Sequence, residues 1–307
     1  MSSVKANLAL MALRTMSFLP LRVSHALGAA FGRIVHRFPN RQSRYIDRNL
    51  SLCFPATDPQ QRATMVHNNM VETGKNLTEL SAFWHWPEAR IRNLVIEEVN
   101  RQVLDDALNT RRGVIVAAPH SGAWELIGMY LTCDYPMHFL YRPNKKTHLN
   151  DMILSARERF GGKCHPITAR GLTALVRALK QGEMIGILPD QEPHDEHGVF
   201  APLYGVPAYT MTFLSALARR TGAPVIFAVM ERLPRAAGYR LHYINANQQI
   251  SHEDPLIACK ALNEYVEQCI DIAPTQYMWN YRRECKRSSL FIDSDCCCCR
   301  AFFARSP

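Results

Sequence analysis

The chain has 307 residues, 47% of them hydrophobic and 21% charged. That balance excludes a disordered or fibrous protein, and a chain this long buries a large core without disulfide or metal staples. The formal net charge is +9, and the first fifty residues hold eight basic side chains against one acidic, Asp47. A basic N-terminus points to an anionic partner, either lipid headgroups or nucleic acid. Four of the ten cysteines stand in a row at 296–299, and the other six are scattered singly without disulfide-framework or zinc spacing. They read as free or buried thiols in a reducing compartment.

Residues 6–35 are apolar but interrupted by Arg14, Arg22 and Arg33. The uninterrupted stretch is too short for the roughly 20 residues that span a bilayer. No small-residue cleavage site follows, so it does not read as a signal peptide. After Pro20 a helical period sets Arg22, His25, Arg33, His36 and Arg37 within roughly one third of the circumference, with Leu21, Leu27, Ala30, Phe31 and Ile34 on the rest. This is the pattern of an amphipathic helix lying on an anionic membrane. It also fits a helix packed on a core with a solvated basic face.

Residues 60–84 predict a helix. From residue 113 short apolar runs alternate with amphipathic segments. Strands are expected at 114–118, 137–141, 184–188, 224–230 and 239–244. Helices are expected at 124–131, 151–159, 172–180, 211–219 and 256–271. Alternation of this kind predicts an α/β fold with a mostly parallel sheet flanked by helices. Residues 288–307 have no periodicity and read as a disordered extension without assigned function.

The first of these apolar runs ends in Ala118-Pro119-His120-Ser121-Gly122-Ala123-Trp124-Glu125. His120 therefore falls where a strand ends and a helix begins, the usual place for a ligand in an open α/β sheet. Glu125, in the first turns of the helix, is expected to reach back to the imidazole and fix its tautomer, making His120 a general base. Gly122 would let a substrate approach the backbone, and free N–H groups at the helix start would hold an oxyanion. There is no G-x-S-x-G elbow, so a serine nucleophile is not expected and direct transfer to a substrate hydroxyl is. On these residues alone, a structural histidine at a strand end is the competing reading.

His120-x4-Glu125 resembles the H-x4-D/E block of the glycerolipid and lysophospholipid acyltransferase superfamily. Further segments sharpen the resemblance: Asn49-Leu50-x-Leu52-Cys53-Phe54-Pro55, Tyr141-Arg142-Pro143 and Leu188-Pro189-Asp190-Gln191. Beyond them come Val199-Phe200-x-Pro202-Leu203-x-Gly205-x-Pro207-Ala208, then Thr221-Gly222-Ala223-Pro224, and Ala273-Pro274-x-Gln276-Tyr277-Met278-Trp279-x-x-Arg282-Arg283. In order and spacing they look like the lipid A biosynthesis lauroyl/myristoyl acyltransferases, over roughly residues 5–285. The resemblance implies transfer of a fatty acyl chain from acyl carrier protein to a 3-hydroxyacyl chain of a lipid A precursor, on the cytoplasmic face of the inner membrane. It implies His120 as base with Glu125 as partner, Arg142 on a phosphate or the oxyanion, and Asp190 orienting a neighbouring group in the substrate site. No cofactor or metal is implied, although the loop from Pro193 to His197 is rich in ligand-type residues. The implied organisation is a membrane-associating segment at 1–40, an acyltransferase domain at 41–287 and the tail at 288–307. Two other readings remain: an acyltransferase with a lysophospholipid or other glycolipid acceptor, and a non-catalytic membrane or nucleic-acid binding protein. No nucleic-acid motif accompanies the basic N-terminus, and nucleic acid is not expected as a partner.

Overall fold

The computed structural model describes residues 11, 14–142, 147–193 and 197–281. The 296–299 cysteine run, the tail, Arg282 and Arg283, most of residues 1–13, and His194, Asp195 and Glu196 of the ligand-rich loop lie outside the described residues. After a helical stretch at residues 14–16, three helices follow: α1 (Leu21–Arg37), α2 (Arg41–Cys53) and α3 (Pro59–His85). A short α4 (Glu88–Arg92) then leads to β1 (Val95–Val99), α5 (Arg101–Asn109), β2 (Val114–Ala117) and α6 (Trp124–Leu131). Next are β3 (Met137–Tyr141), α7 (Thr147–Glu158), β4 (Lys163–Pro166), α8 (Ala169–Lys180) and β5 (Met184–Ile187). A hairpin of β6 (Gly198–Leu203) and β7 (Val206–Met211) precedes α9 (Phe213–Thr221), β8 (Val225–Arg232), β9 (Tyr239–Asn245) and α10 (Pro255–Ile272).

Side-chain caps set several helix starts. Asn40 accepts from the Ser43 N–H at the head of α2. Asp58 and Asp254 cap α3 and α10, each followed by a proline at the first helical position. There the missing proline N–H costs nothing.

The main sheet has seven strands in the order β1-β9-β8-β2-β5-β3-β4. β8, β2, β5, β3 and β4 are parallel to one another; β9 runs antiparallel to β8, and β1 is parallel to β9. The mostly parallel α/β expectation therefore holds, with two reversed strands at one edge. Both faces are covered, as such a sheet requires. Ile115, Ala117, Ile185 and Phe227 pack with Leu175 of α8 and Leu214 of α9 on one side. Val116, Met184, Ile226 and Ala228 pack with Leu126 and Ile127 of α6 on the other. The helix expected at 211–219 begins two residues later, because Met211 pairs with Gly198 at the end of β7.

Helix α1 forms, but its buried face is not the expected one. Ser24, His25, Gly28, Ala29 and Gly32 face the protein. A Cβ on Gly28 would lie 2.5 Å from the Gly74 carbonyl oxygen, and one on Gly32 would lie 2.2 Å from that of Met70. Only hydrogen side chains allow α1 and α3 to meet this closely. His25 is therefore not part of a solvated basic stripe. It is 6% exposed, with Nε2 3.0 Å from a Glu79 carboxylate oxygen. Glu79 also takes the Tyr239 hydroxyl and the Arg232 guanidinium, tying α1 to α3, β8 and β9. Phe18, Leu27, Phe31, Ile34 and Phe38 point outward and are about half exposed or more. Among the described residues, no helix is long and apolar enough to cross a membrane.

Candidate active site

β2 and β5 are neighbours in register, with Ala117 opposite Ile187. Each chain runs three residues past that pair before its functional side chain, His120 on one and Asp190 on the other. Equal overhangs from paired strands bring the two together. His120 Nδ1 lies 2.7 Å from Asp190 Oδ1, and the His120 backbone N–H donates to Asp190 Oδ2 at 3.0 Å. Both residues are buried, His120 at 6% and Asp190 at 2% exposure. An ionised carboxylate accepts only, so the ring proton sits on Nδ1 and the Nε2 lone pair faces away from Asp190. The Gln191 side-chain amide nitrogen is 3.1 Å from Nε2.

The C-terminal segment of the described chain fixes this loop from the far side. The Met278 N–H donates to the His120 carbonyl, and the Gly122 N–H donates to the Gln276 carbonyl. The Gln276 side chain bonds both backbone groups of Arg232, and the Asn69 side chain bonds the Thr275 and Tyr277 carbonyls.

Two expectations need correction. The Glu125 carboxylate does not bond His120: the Arg157 guanidinium holds it, with Nε 3.1 Å from Oε2 and a second contact from NH2 to Oε1. Glu125, in the first turn of α6, is taken up by Arg157 of α7, and Asp190 takes the place expected for it. Gly122 is buried and offers no path to a substrate. Its φ is +59°, and a Cβ there would lie 1.9 Å from the Met230 carbonyl oxygen, so glycine admits β8 rather than a ligand. The N–H groups of Gly122 and Ala123, just before the helix, are bonded to the Gln276 and Met230 carbonyls. Arg142 is exposed at the end of β3, and Pro143 beside it lies outside the described residues.

A cavity of about 240 Å³ is lined by Ala118 and Leu188, each two residues before a member of the dyad, although His120 and Asp190 themselves do not line it. Trp124, whose ring centroid is 5.3 Å from that of His120, forms part of its wall. The other walls are apolar, among them Val116, Ile127, Phe139 and Phe213, except for Glu125 and Arg157. Burial opposes the Arg157 charge, and Glu125 beside it more than offsets this, so the guanidinium pKa lies above its usual value. A single ion pair on the wall of an apolar cavity suits a molecule with a long hydrocarbon body and one polar group. Sequence reasoning missed Arg157, since nothing local marks it: it sits 32 residues after Glu125, on a different helix.

Among the described residues, no candidate protein nucleophile is bonded to His120. The Ser121 hydroxyl is buried without a hydrogen-bond partner. Burial pushes the Cys269 thiol up, and nearby Asp190 adds to this, leaving it a poor nucleophile. Among the described residues no group of three or more His, Cys, Asp or Glu side chains could hold a metal ion.

Among the described residues, an imidazole bonded to a carboxylate, with no serine or cysteine bonded to it, is an arrangement suited to activating the hydroxyl of an incoming molecule. Residues 3–284 match the family model described as bacterial lipid A biosynthesis acyltransferase. The chain is 32% identical to the lipid A biosynthesis lauroyltransferase of Escherichia coli (strain K12), over 86% of each chain. It is also 32% identical to the palmitoleoyltransferase of the same organism, over 89% of this chain and 90% of that one. Identity to the myristoyltransferase is 22%, over 89% and 84%. The protein is an acyltransferase, and it belongs to the bacterial lipid A biosynthesis acyltransferase family.

Proposed function

We propose that the enzyme transfers a fatty acyl chain from acyl carrier protein to the hydroxyl of a 3-hydroxyacyl chain on a lipid A precursor, forming an acyloxyacyl ester. The observation that carries this reading is the His120–Asp190 pair beside an apolar cavity. His120 Nε2 takes the proton of the acceptor hydroxyl as its oxygen attacks the thioester carbonyl carbon. Asp190 holds the ring with Nδ1 protonated and stabilises the imidazolium. The carbon–sulfur bond breaks, and the departing thiolate takes the proton from Nε2. Glu125 serves by holding Arg157, whose guanidinium at the cavity wall is suited to a carbonyl oxygen gaining negative charge. Arg142, exposed where β3 ends, is suited to a phosphate of either substrate. The basic excess of the chain supports an acidic donor protein, because opposite charge speeds encounter.

The reading includes attachment to the cytoplasmic face of the inner membrane. Its support is the outward row of Leu27, Phe31 and Ile34 on α1, flanked by exposed Phe18 and Phe38 at its two ends, on a helix that also exposes Arg22, Arg33 and Arg37. Such a surface inserts rings into a bilayer while its arginines meet anionic headgroups. Replacing Phe31 and Ile34 by glutamate is expected to release the protein from anionic vesicles. Retention of the double variant would count against this mode of attachment.

The test of the reaction is incubation of the purified protein with acyl-acyl carrier protein and a lipid A precursor, followed by mass spectrometry. The proposal predicts mass gain by one ester-linked acyl chain. Transfer to a lysophospholipid and not to the precursor would favour another acceptor.

A further inference from the structure

Gln191 contacts the base on the side where a substrate must arrive. Its amide nitrogen is 3.1 Å from His120 Nε2, while Nδ1 is committed to Asp190 at 2.7 Å. With the ring proton on Nδ1, Nε2 offers only a lone pair, and the amide N–H is the matching donor. In the empty site, the electron pair that would accept a proton is therefore already occupied.

We propose that Gln191 caps the base and biases the enzyme toward transfer over hydrolysis of its donor. The inference rests on His120 acting as the base. Water and an acceptor hydroxyl must both displace the same N–H before either can be deprotonated. The acceptor brings binding energy from the rest of a large amphipathic molecule, and that energy can be spent on moving the amide. Water brings none. The cap therefore slows hydrolysis more than transfer.

In the suppressed reaction a water oxygen bonds to the thioester carbonyl carbon and one water proton passes to Nε2. The carbon–sulfur bond breaks, and the thiolate takes that proton from the imidazolium. The products are one free fatty acid and one thiol. Gln191 touches the base and not the reacting atoms, so it is a positioning residue.

The experiment uses the full chain with an acyl thioester, measuring free fatty acid released without acceptor and ester formed with it. Gln191→Met keeps the length of the side chain and removes the N–H; Gln191→Ala removes both. One hydrogen bond corresponds to about a three- to tenfold change in rate. Hydrolysis is expected to rise by that factor in both variants while transfer does not rise, so the ratio of hydrolysis to transfer increases. General damage to the site would lower both rates and cannot produce a gain. An unchanged or lower ratio in both variants, with His120→Ala inactive, overturns the cap and leaves the base assignment standing. Full transfer by His120→Ala overturns the base assignment and the cap with it.

Discussion

Asp190 holds His120 twice, once through the ring at Nδ1 and once through the backbone N–H, with a different carboxylate oxygen for each. The two contacts fix both the tautomer and the position of the loop. In Asp190→Asn the amide has one acceptor oxygen and an NH2 group where the second acceptor stood, so one contact becomes donor against donor. The expected result is a loss of about 10²–10⁴ in kcat, with the fold retained by circular dichroism. Near-normal kcat in this variant would show that the dyad does not set the base.

Glu125 and Arg157 form a separate unit, and their variants should behave as one. Removing either leaves the other mostly buried and unpaired, at about 3 kcal/mol of stability. Denaturant midpoints should fall for Glu125→Ala and Arg157→Ala, and recover in part for the double variant, in which no lone charge remains. Additive losses would mean that the two side chains do not act on each other.

Phe139 of β3 lines the cavity. Its ring lies 3.0 Å from where a Cβ on Gly128 would be and 2.7 Å from one on Gly186, so two glycines make room for it. Phe139→Ala opens space along the direction of an acyl chain. Each further methylene buried is worth about 0.8 kcal/mol, so the preferred thioester should lengthen. Competition among thioesters of graded length checks this, and an unchanged preference would place the chain elsewhere.

The anchor of α1 sets an acid limit. Burial alone would raise the Glu79 carboxyl, but the Arg232 guanidinium and hydrogen bonds from Arg232 and His25 hold it down at about 2. A depressed acid contributes stability that is full above its unfolded value, near 4.5, and is lost as pH falls toward 2. The contribution at neutral pH is on the order of 3 kcal/mol. Unfolding followed from pH 6 down to 2 should show this loss, with protease access to α1 rising in the same window. Glu79→Gln should be less stable at neutral pH, since Arg232 stays buried, and flatter between pH 4 and 2.

Much of the fold was legible because buried strands of a doubly covered sheet are continuous apolar runs. Val114-Ile115-Val116-Ala117 and Met184-Ile185-Gly186-Ile187 are of this kind, and both were expected within a residue of where they lie. β1 and β4 were not, because Val95-Ile96-Glu97-Glu98-Val99 and Lys163-Cys164-His165-Pro166 are edge strands with one neighbour and exposed polar positions. The β6–β7 hairpin was hidden by Pro202 and Pro207, which face each other across the ladder. Prolines are tolerated there because the two-stranded ribbon stands outside the main sheet. In the site, His120 was legible from its place after a strand. Its partner was not, because the pairing of Ala117 with Ile187 that brings Asp190 to the imidazole is a property of sheet order and not of local spacing. Glu125 is the nearer carboxylate in sequence, but Asp190 is the one bonded to the imidazole. On α1, Gly28, Ala29 and Gly32 face the protein and the large apolar residues face out; the residue the helical period misplaces is His25, which is buried on Glu79 instead of lying in the basic stripe.

The central claim is that His120 activates the acceptor hydroxyl directly, with no acyl group passing through the protein. Single-turnover reaction of the wild-type protein and His120→Ala with a radiolabelled acyl thioester, sampled with and without acceptor and read by intact-protein mass spectrometry, tests it most directly. Direct transfer predicts labelled ester product from the wild type, loss of most turnover in a folded His120→Ala, and no protein species heavier by one acyl chain at any time. An acyl group trapped on a serine or cysteine side chain, or transfer by His120→Ala at the wild-type rate, would contradict it.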